Sequence, residues 1–175
     1  MKDFLFDMFK TIILAALIVI PIRTFVFQPF LVRGASMEPN YYQGDYLIVD
    51  QFSYRFQEPK RGDVIVFYPP TPTDKRYIKR IIGMPQETVS IENGDIYIEK
   101  EEDRWFLDEY SYLQTNTDGQ LRMEIPEGHY FVLGDNRDSS LDSRSWGTLP
   151  EGNIIGKVAI QISPANTLAN LKSVQ

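Results

Sequence analysis

The chain contains no cysteine and a single histidine, His129, in 175 residues. Without cysteine there are no disulfides, no thiol nucleophile and no Cys-ligated zinc, although the compartment stays open because a secreted protein can lack disulfides. One histidine leaves any His-based catalysis a single candidate and rules out a two-His metal site. A stripe of positive charge is also missing. Lys and Arg total 18 against 24 Asp and Glu, a net charge of -6, which excludes a phosphate-tracking surface and with it a nucleic-acid partner. No G-x-S-x-G elbow exists, since Gly34-Ala35-Ser36-Met37 runs into Glu38. No serine has a lysine three residues on. The run Asp135–Arg144 looks at first like a calcium loop, but Arg137 and Ser139 stand at its third and fifth positions, Ser140 at the turn glycine and Trp146 at the bidentate glutamate. Neither a metal nor another cofactor is expected. Internal repeats and low-complexity tracts are absent.

What is present divides the chain in two. From Met8 to Phe27 it reads MFKTIILAALIVIPIRTFVF, uncharged from Thr11 to Ile22. That core is shorter than the ~20 residues of an ideal spanning helix. It suffices if Lys10 and Arg23 lie at the two interfaces and extend their charges into the headgroups, with Pro21 kinking or ending the helix near the far side. No small-x-small site follows at the distance a cleaved signal peptide needs. Length alone also admits a buried core helix. Loop charge does not orient the segment, because Lys2 and Lys10 are balanced by Arg23 and Arg33. The expectation is a membrane anchor over 1–27 and one domain over 28–175.

Beyond residue 28 the period becomes two. Asp45–Asp50, Asp63–Tyr68, Thr88–Glu92, Asp95–Glu99, Tyr130–Leu133 and Ile155–Ile162 read as short strands. Asn93-Gly94 between two of them signals a type I′ hairpin. Pro69, Pro70 and Pro72 mark a loop, and the charged run Lys100–Arg104 reads as solvated loop. No helical stripe appears after residue 28, so the fold class is mostly β.

Three segments are left over: GASMEP (Gly34–Pro39), YIKRIIGMP (Tyr77–Pro85) and GDNRDSSLDSRSWG (Gly134–Gly147). Singly each has an ordinary explanation as a turn serine, a strand lysine and a hydrogen-bonded loop. In a strand, however, Tyr77, Lys79 and Ile81 share one face, so Lys79 has apolar neighbours on both sides. Desolvation disfavours its ammonium. Half-neutrality near pH 8 takes a displacement of about two pH units from ~10.4, roughly 3 kcal/mol. A neutral amine can then serve as general base toward a serine hydroxyl.

Together, with GDYLIV, RGDVIVF and GHYFVLGDNRDSSLDSRSWG in this order behind an apolar helix, the segments resemble the bacterial type I signal peptidases in their small Gram-positive form, over almost the whole chain. The resemblance implies a β-rich catalytic core with a short inserted cap, about 91–126, behind one N-terminal transmembrane helix. It implies a membrane-bound serine endopeptidase that removes signal peptides from exported preproteins after small-x-small (Ala-x-Ala) sites, through an acyl-enzyme. Its partners are those preproteins and the lipid bilayer, and the catalytic domain faces the extracytoplasmic side of the cell membrane. On this resemblance Ser36 is the nucleophile and Lys79 the base. Ser140 lies beside the lysine and hydrogen-bonds it. Asp142 and Arg144 buttress the site, and Asp135 and Arg137 support the same loop. Phe30, Val32, Met37 and Ile78 line the pockets for the small side chains, and Tyr77 borders the site.

Some positions depart from the family pattern. Gly34 stands where larger members carry a serine that helps the oxyanion, leaving backbone donors, chiefly the Ser36 N–H. Asn40 replaces a frequent threonine, and Gln86-Glu87 a frequent Gly-Asp. Two rivals remain: a catalytically silent relative acting as an assembly or binding protein at the membrane, and a self-cleaving repressor, which would need a DNA-binding module where this chain has an apolar segment.

Overall fold

The computed structural model describes residues 2–25, 27–113 and 115–164, with the side chains of 2, 3, 18–25 and 27 left outside the description. The chain opens with helix α1 (Lys2–Phe25), about 36 Å long at 1.5 Å per residue, which passes through Pro21. Most of its described large apolar side chains, among them Phe4, Phe9, Leu14 and Leu17, are more than half exposed. Among the described residues no helix is both long and apolar enough to cross a membrane. Arg23, expected at an interface, falls among the side chains outside the description.

Among the described residues eleven strands follow: β1 (Phe27–Leu31), β2 (Tyr46–Asp50), β3 (Val64–Phe67), β4 (Tyr77–Gly83), β5 (Thr88–Glu92), β6 (Asp95–Lys100), β7 (Asp103–Phe106), β8 (Leu121–Glu124), β9 (His129–Leu133), β10 (Leu149–Pro150) and β11 (Ile154–Ile162). The only other α-helix among the described residues is the single turn α2 (Ser143–Trp146), in keeping with a mostly β chain. Seven strands form one sheet in the order β1-β2-β11-β3-β4-β9-β10, and four form a second in the order β7-β6-β5-β8. Asn93 and Gly94 join β5 to β6 with φ of 53° and 94°, the two left-handed residues a type I′ turn requires.

Period-two alternation sends side chains to both faces of the large sheet. On one face Ile82, Phe131 and Leu133 meet Val89, Ile91, Ile96, Ile98 and Ile125 of the smaller sheet's region. The smaller sheet, which occupies residues 88–124 where an inserted cap over about 91–126 was expected, therefore shares a core with the large one. Each fully buried isoleucine is worth about 1.5–3 kcal/mol. On the other face Ile65, Phe67, Ile81, Tyr130, Val132 and Leu149 form a second cluster. A third, Val32, Leu47, Val49 and Val66 with Phe30 and Ile78 packed on it, underlies the site.

One sequence expectation changes. The run Lys100–Arg104 is not a loop but a tight turn flanked by strand ends, with Lys100 of β6 opposite Asp103 of β7. All four residues of β7 are exposed, so its charges remain solvated while its backbone is paired.

Candidate active site

Strand β4 changes neighbours along its length. On one side β3 pairs with it from Tyr77 to Arg80, whereas on the other β9 pairs only from Arg80 to Gly83. The edge at Tyr77–Lys79 is thus open on one side. The turn that follows β1 comes up beside it, tightened by hydrogen bonds from Glu38 N–H to Ala35 O and from Tyr41 N–H to Met37 O.

Here Lys79 and Ser36, 43 residues apart in sequence, meet: Nζ of Lys79 lies 2.6 Å from Oγ of Ser36. The amine also donates to the Ile78 carbonyl at 2.9 Å and lies 5.7 Å from the Tyr77 ring centroid. Lys79 is 3% exposed and no carboxylate is in salt-bridge contact with it among the described residues. Burial pushes the ammonium down to about 8 from its usual 10.5; Asp142 and Asp135 oppose this and Arg144 reinforces it. Both carboxylates are engaged elsewhere. Asp135 takes Arg80 Nε at 2.8 Å and Nη2 at 2.6 Å, and Asp142 takes Arg144 Nε at 2.9 Å and Nη2 at 3.0 Å. An amine among neutralised pairs gains little from their fields, so desolvation dominates.

The loop after β9 holds the Ser36 turn. Asn136 donates its backbone N–H to Ser36 O at 3.1 Å and its side-chain amide to Ala35 O at 3.1 Å. The buried Asp142 accepts the Gly134 N–H at 3.1 Å, caps α2 through Arg144 N–H, and Arg144 Nη2 reaches back to Arg137 O at 2.6 Å. A Cβ on Gly134 would collide with Ser36 O and Ser140 Oγ, so only glycine lets this loop approach so closely.

A cleft of about 850 Å³ runs from the Ser36–Lys79 contact along both edges, lined by residues 29–36 and 74–79 with Leu47, Val66, Ser139 and Leu141. Phe30, Val32, Tyr77 and Ile78 all line it, over a floor completed by Leu47 and Val66. Gly34 lines it too, at a φ of 91°. Among the described residues nothing accepts from the Ser36 N–H, which leaves that donor available to an oxyanion.

Two expected site residues are placed differently. Met37 is 1% exposed and is not among the residues that line the cleft. Ser140 Oγ is buried with no hydrogen-bond partner among the described residues; the amine's contacts run to Ser36 and Ile78, while Ser140 packs on Gly134. The sequence reading also missed residues. Arg80 could have been found, since it alternates with Lys79 and the buried Asp135 needs a cation. Glu109 and Thr117, which contact Arg137, carry no sequence signal at all.

A hydroxyl under a water-starved amine, at the end of an apolar cleft edged by unpaired strand, is the equipment of a serine hydrolase. Comparison with known proteins agrees. A family model described as "Signal peptidase, peptidase S26" matches residues 5–163. Signal peptidase I of Leptolyngbya laminosa is 39% identical over 170 residues, 93% of this chain and 81% of that protein. Signal peptidase I T of Bacillus subtilis is 35% identical over 170 residues, 93% and 88% of the two chains. The crystal structure of a signal peptidase I from Enterococcus faecalis superposes with a TM-score of 0.50 at 31% identity, covering 59% of this chain and 98% of that one. The chain belongs to the signal peptidase family, peptidase S26, and is thereby a serine endopeptidase.

Proposed function

We propose that this peptidase is anchored in the membrane by α1 and removes signal peptides from exported preproteins after small-x-small sites, with Ser36 as nucleophile and Lys79 as general base. The observation that carries the reading is the 2.6 Å contact between Nζ and Oγ, made by an amine that burial has brought near neutrality. An extended signal-peptide end adds itself to the open edges beside the cleft, as in β-strand addition. The apolar floor of Phe30, Val32, Leu47, Val66 and Ile78 accepts short side chains. Ser36 Oγ attacks the scissile carbonyl as Lys79 takes its proton. The oxyanion faces the Ser36 N–H, Gly34 offering no hydroxyl. The new ammonium gives its proton to the departing amine, and an ester to Ser36 remains. Water, deprotonated by the neutral Lys79, then opens the ester and regenerates both groups.

Two features support the membrane location: the exposed apolar side chains of α1, which leads into β1, and the exposed Leu31, Tyr46, Ile160 and Ile162 on adjoining strands. Confinement to one surface raises effective concentration without new contacts. The catalytic domain is placed on the extracytoplasmic side, where signal peptides emerge.

The test is incubation of purified full-length protein in detergent with a preprotein whose signal ends in Ala-x-Ala, followed by sequencing of the new N-terminus. Cleavage directly after the second Ala is expected, and S36A, with an unchanged circular-dichroism spectrum, should release no product. Undiminished processing by S36A would remove Ser36 from the mechanism.

A further inference from the structure

Arg137 lies in the loop that holds the Ser36 turn, yet the groups that neutralise it come from elsewhere. Its guanidinium, 2% exposed, donates Nη1 and Nη2 to Glu109 Oε2 and Oε1 at 2.9 and 2.6 Å. Nη1 also meets Thr117 Oγ1, and Nε donates to Gly134 O at 3.0 Å. Glu109 and Thr117 belong to the connection from β7 to β8 in the smaller sheet, and both are buried. Two residues beyond Gly134, Asn136 grips Ser36; at Gly134 itself the loop touches Ser36 O. The guanidinium thus ties Glu109 to the backbone that abuts the nucleophile.

The same connection reaches the nucleophile's own turn. Tyr112 donates its hydroxyl to Glu109 Oε1 at 2.6 Å, while its carbonyl accepts Asn40 Nδ2 at 2.7 Å, and Asn40 Nδ2 lies 2.8 Å from Asp135 Oδ2. Arg80, bound to Asp135, stacks 4.1 Å from the Tyr112 ring centroid. Glu109 is therefore the point where the smaller sheet is fastened to both halves of the site, the acidic loop through Arg137 and the Ser36–Asn40 turn through Tyr112. A bidentate guanidinium–carboxylate pair suits this task because it fixes orientation as well as distance.

We propose that Glu109 is a positioning residue for the peptidase reaction, holding Arg137, and through it the Gly134–Arg144 loop, against the Ser36 turn. This rests on the Ser36–Lys79 reading. It assigns the smaller sheet a part in catalysis beyond covering the core. Because Glu109 does not line the substrate cleft, its removal should act on the chemical step and not on peptide binding.

The experiment compares the full-length wild type with E109Q, R137Q and the double variant E109Q/R137Q on a peptide spanning an Ala-x-Ala site, at a temperature below every variant's melting transition. An ångström-scale misplacement of reacting groups costs on the order of 100-fold, so kcat of folded E109Q should fall roughly 30- to 100-fold with KM within about threefold of wild type. The double variant should be no slower than R137Q alone, since the two residues act as one unit. Wild-type kcat in folded E109Q, or multiplicative losses in the double variant, would overturn the proposal. If E109Q does not fold, E109D and T117V carry the test: each should lower kcat at constant KM, and wild-type kcat in both is the contrary result. S36A run alongside separates the two readings. Activity retained by S36A overturns the dyad, whereas silence in S36A with full activity in E109Q overturns only the positioning role.

Discussion

The two sides of strand β4 are built from opposite materials. The stretch that meets the cleft is sparsely bonded: Tyr77 and Ile78 line it together with Phe30 and Val32, and its buried amine, Lys79, has no ionic partner among the described residues. The far side is a lattice of ion pairs, Arg80 with Asp135, Arg144 with Asp142 and Arg137 with Glu109. A buried guanidinium or carboxylate is costly unless paired, and removal of one member leaves a stranded charge worth about 3–5 kcal/mol of stability. Lys79 escapes this requirement because it can shed its proton. The chemistry depends on keeping the two kinds of surroundings apart within the span of one strand.

The comparison can be broken most severely at the amine itself. K79M should reduce cleavage at least about 10³-fold, the scale on which removing a member of a nucleophile–base unit acts, as read by product formation in a discontinuous assay. It should also be at least as stable as wild type near neutrality. The folded-state proton affinity of Lys79, about 8, lies below its usual 10.5. Below pH 8 both states are protonated and the burial cost stands in full, roughly 3 kcal/mol at 1.36 kcal/mol per pH unit. Between pH 8 and 10.5 the unfolded chain binds the extra proton, so wild-type stability gains with rising pH. Chemical denaturation from pH 6 to 10 should show the K79M advantage shrinking over that window. The wild-type rate should climb about tenfold per pH unit below 8 and level off above it; a flat profile would exclude Lys79 as the base.

Next in size is the seam between the two environments. G134A would push a methyl group onto Ser36 O and Ser140 Oγ. A drop of about 100-fold in kcat and a stability loss of about 1–3 kcal/mol are expected, read by steady-state kinetics and thermal melts. The smallest effect lies away from both. Gln86 sits at a φ of 64°, where a side chain costs about 1–2 kcal/mol. Part of that cost is offset by glycine's looser unfolded state, so Q86G should gain about 0.5–1 kcal/mol with unchanged turnover.

What the sequence revealed follows the same division. Strands whose alternation separates core from solvent, such as Thr88–Glu92 and Asp95–Glu99, are visible at once. β7 and β8 are not: β7 is exposed throughout and has no period-two signature, and the alternation of β8 spans only the four residues Leu121–Glu124. β1 is hidden by Pro29, which an edge strand tolerates. In the site, Lys79 stands out from strand phase, whereas Ser36 as its partner and the cleft-lining Phe30, Val32, Tyr77 and Ile78 are implied only by the family resemblance that the ordered motifs carry. The burial of Met37 and the seat of the Ser140 hydroxyl on Gly134 are not legible, because a turn's side-chain direction is not encoded by spacing. Glu109 was invisible, as one acid among many in a polar connection; only its partner, an arginine buried 28 residues further on, distinguishes it.

The half-paired state of β4 has a bearing on turnover. Backbone groups that a bound peptide would borrow from the open side of Tyr77–Lys79 are ones no other strand requires, since β9 joins only at Arg80. Docking and departure therefore leave every native rung in place, and the enzyme can release what it has cut without unzipping any part of itself.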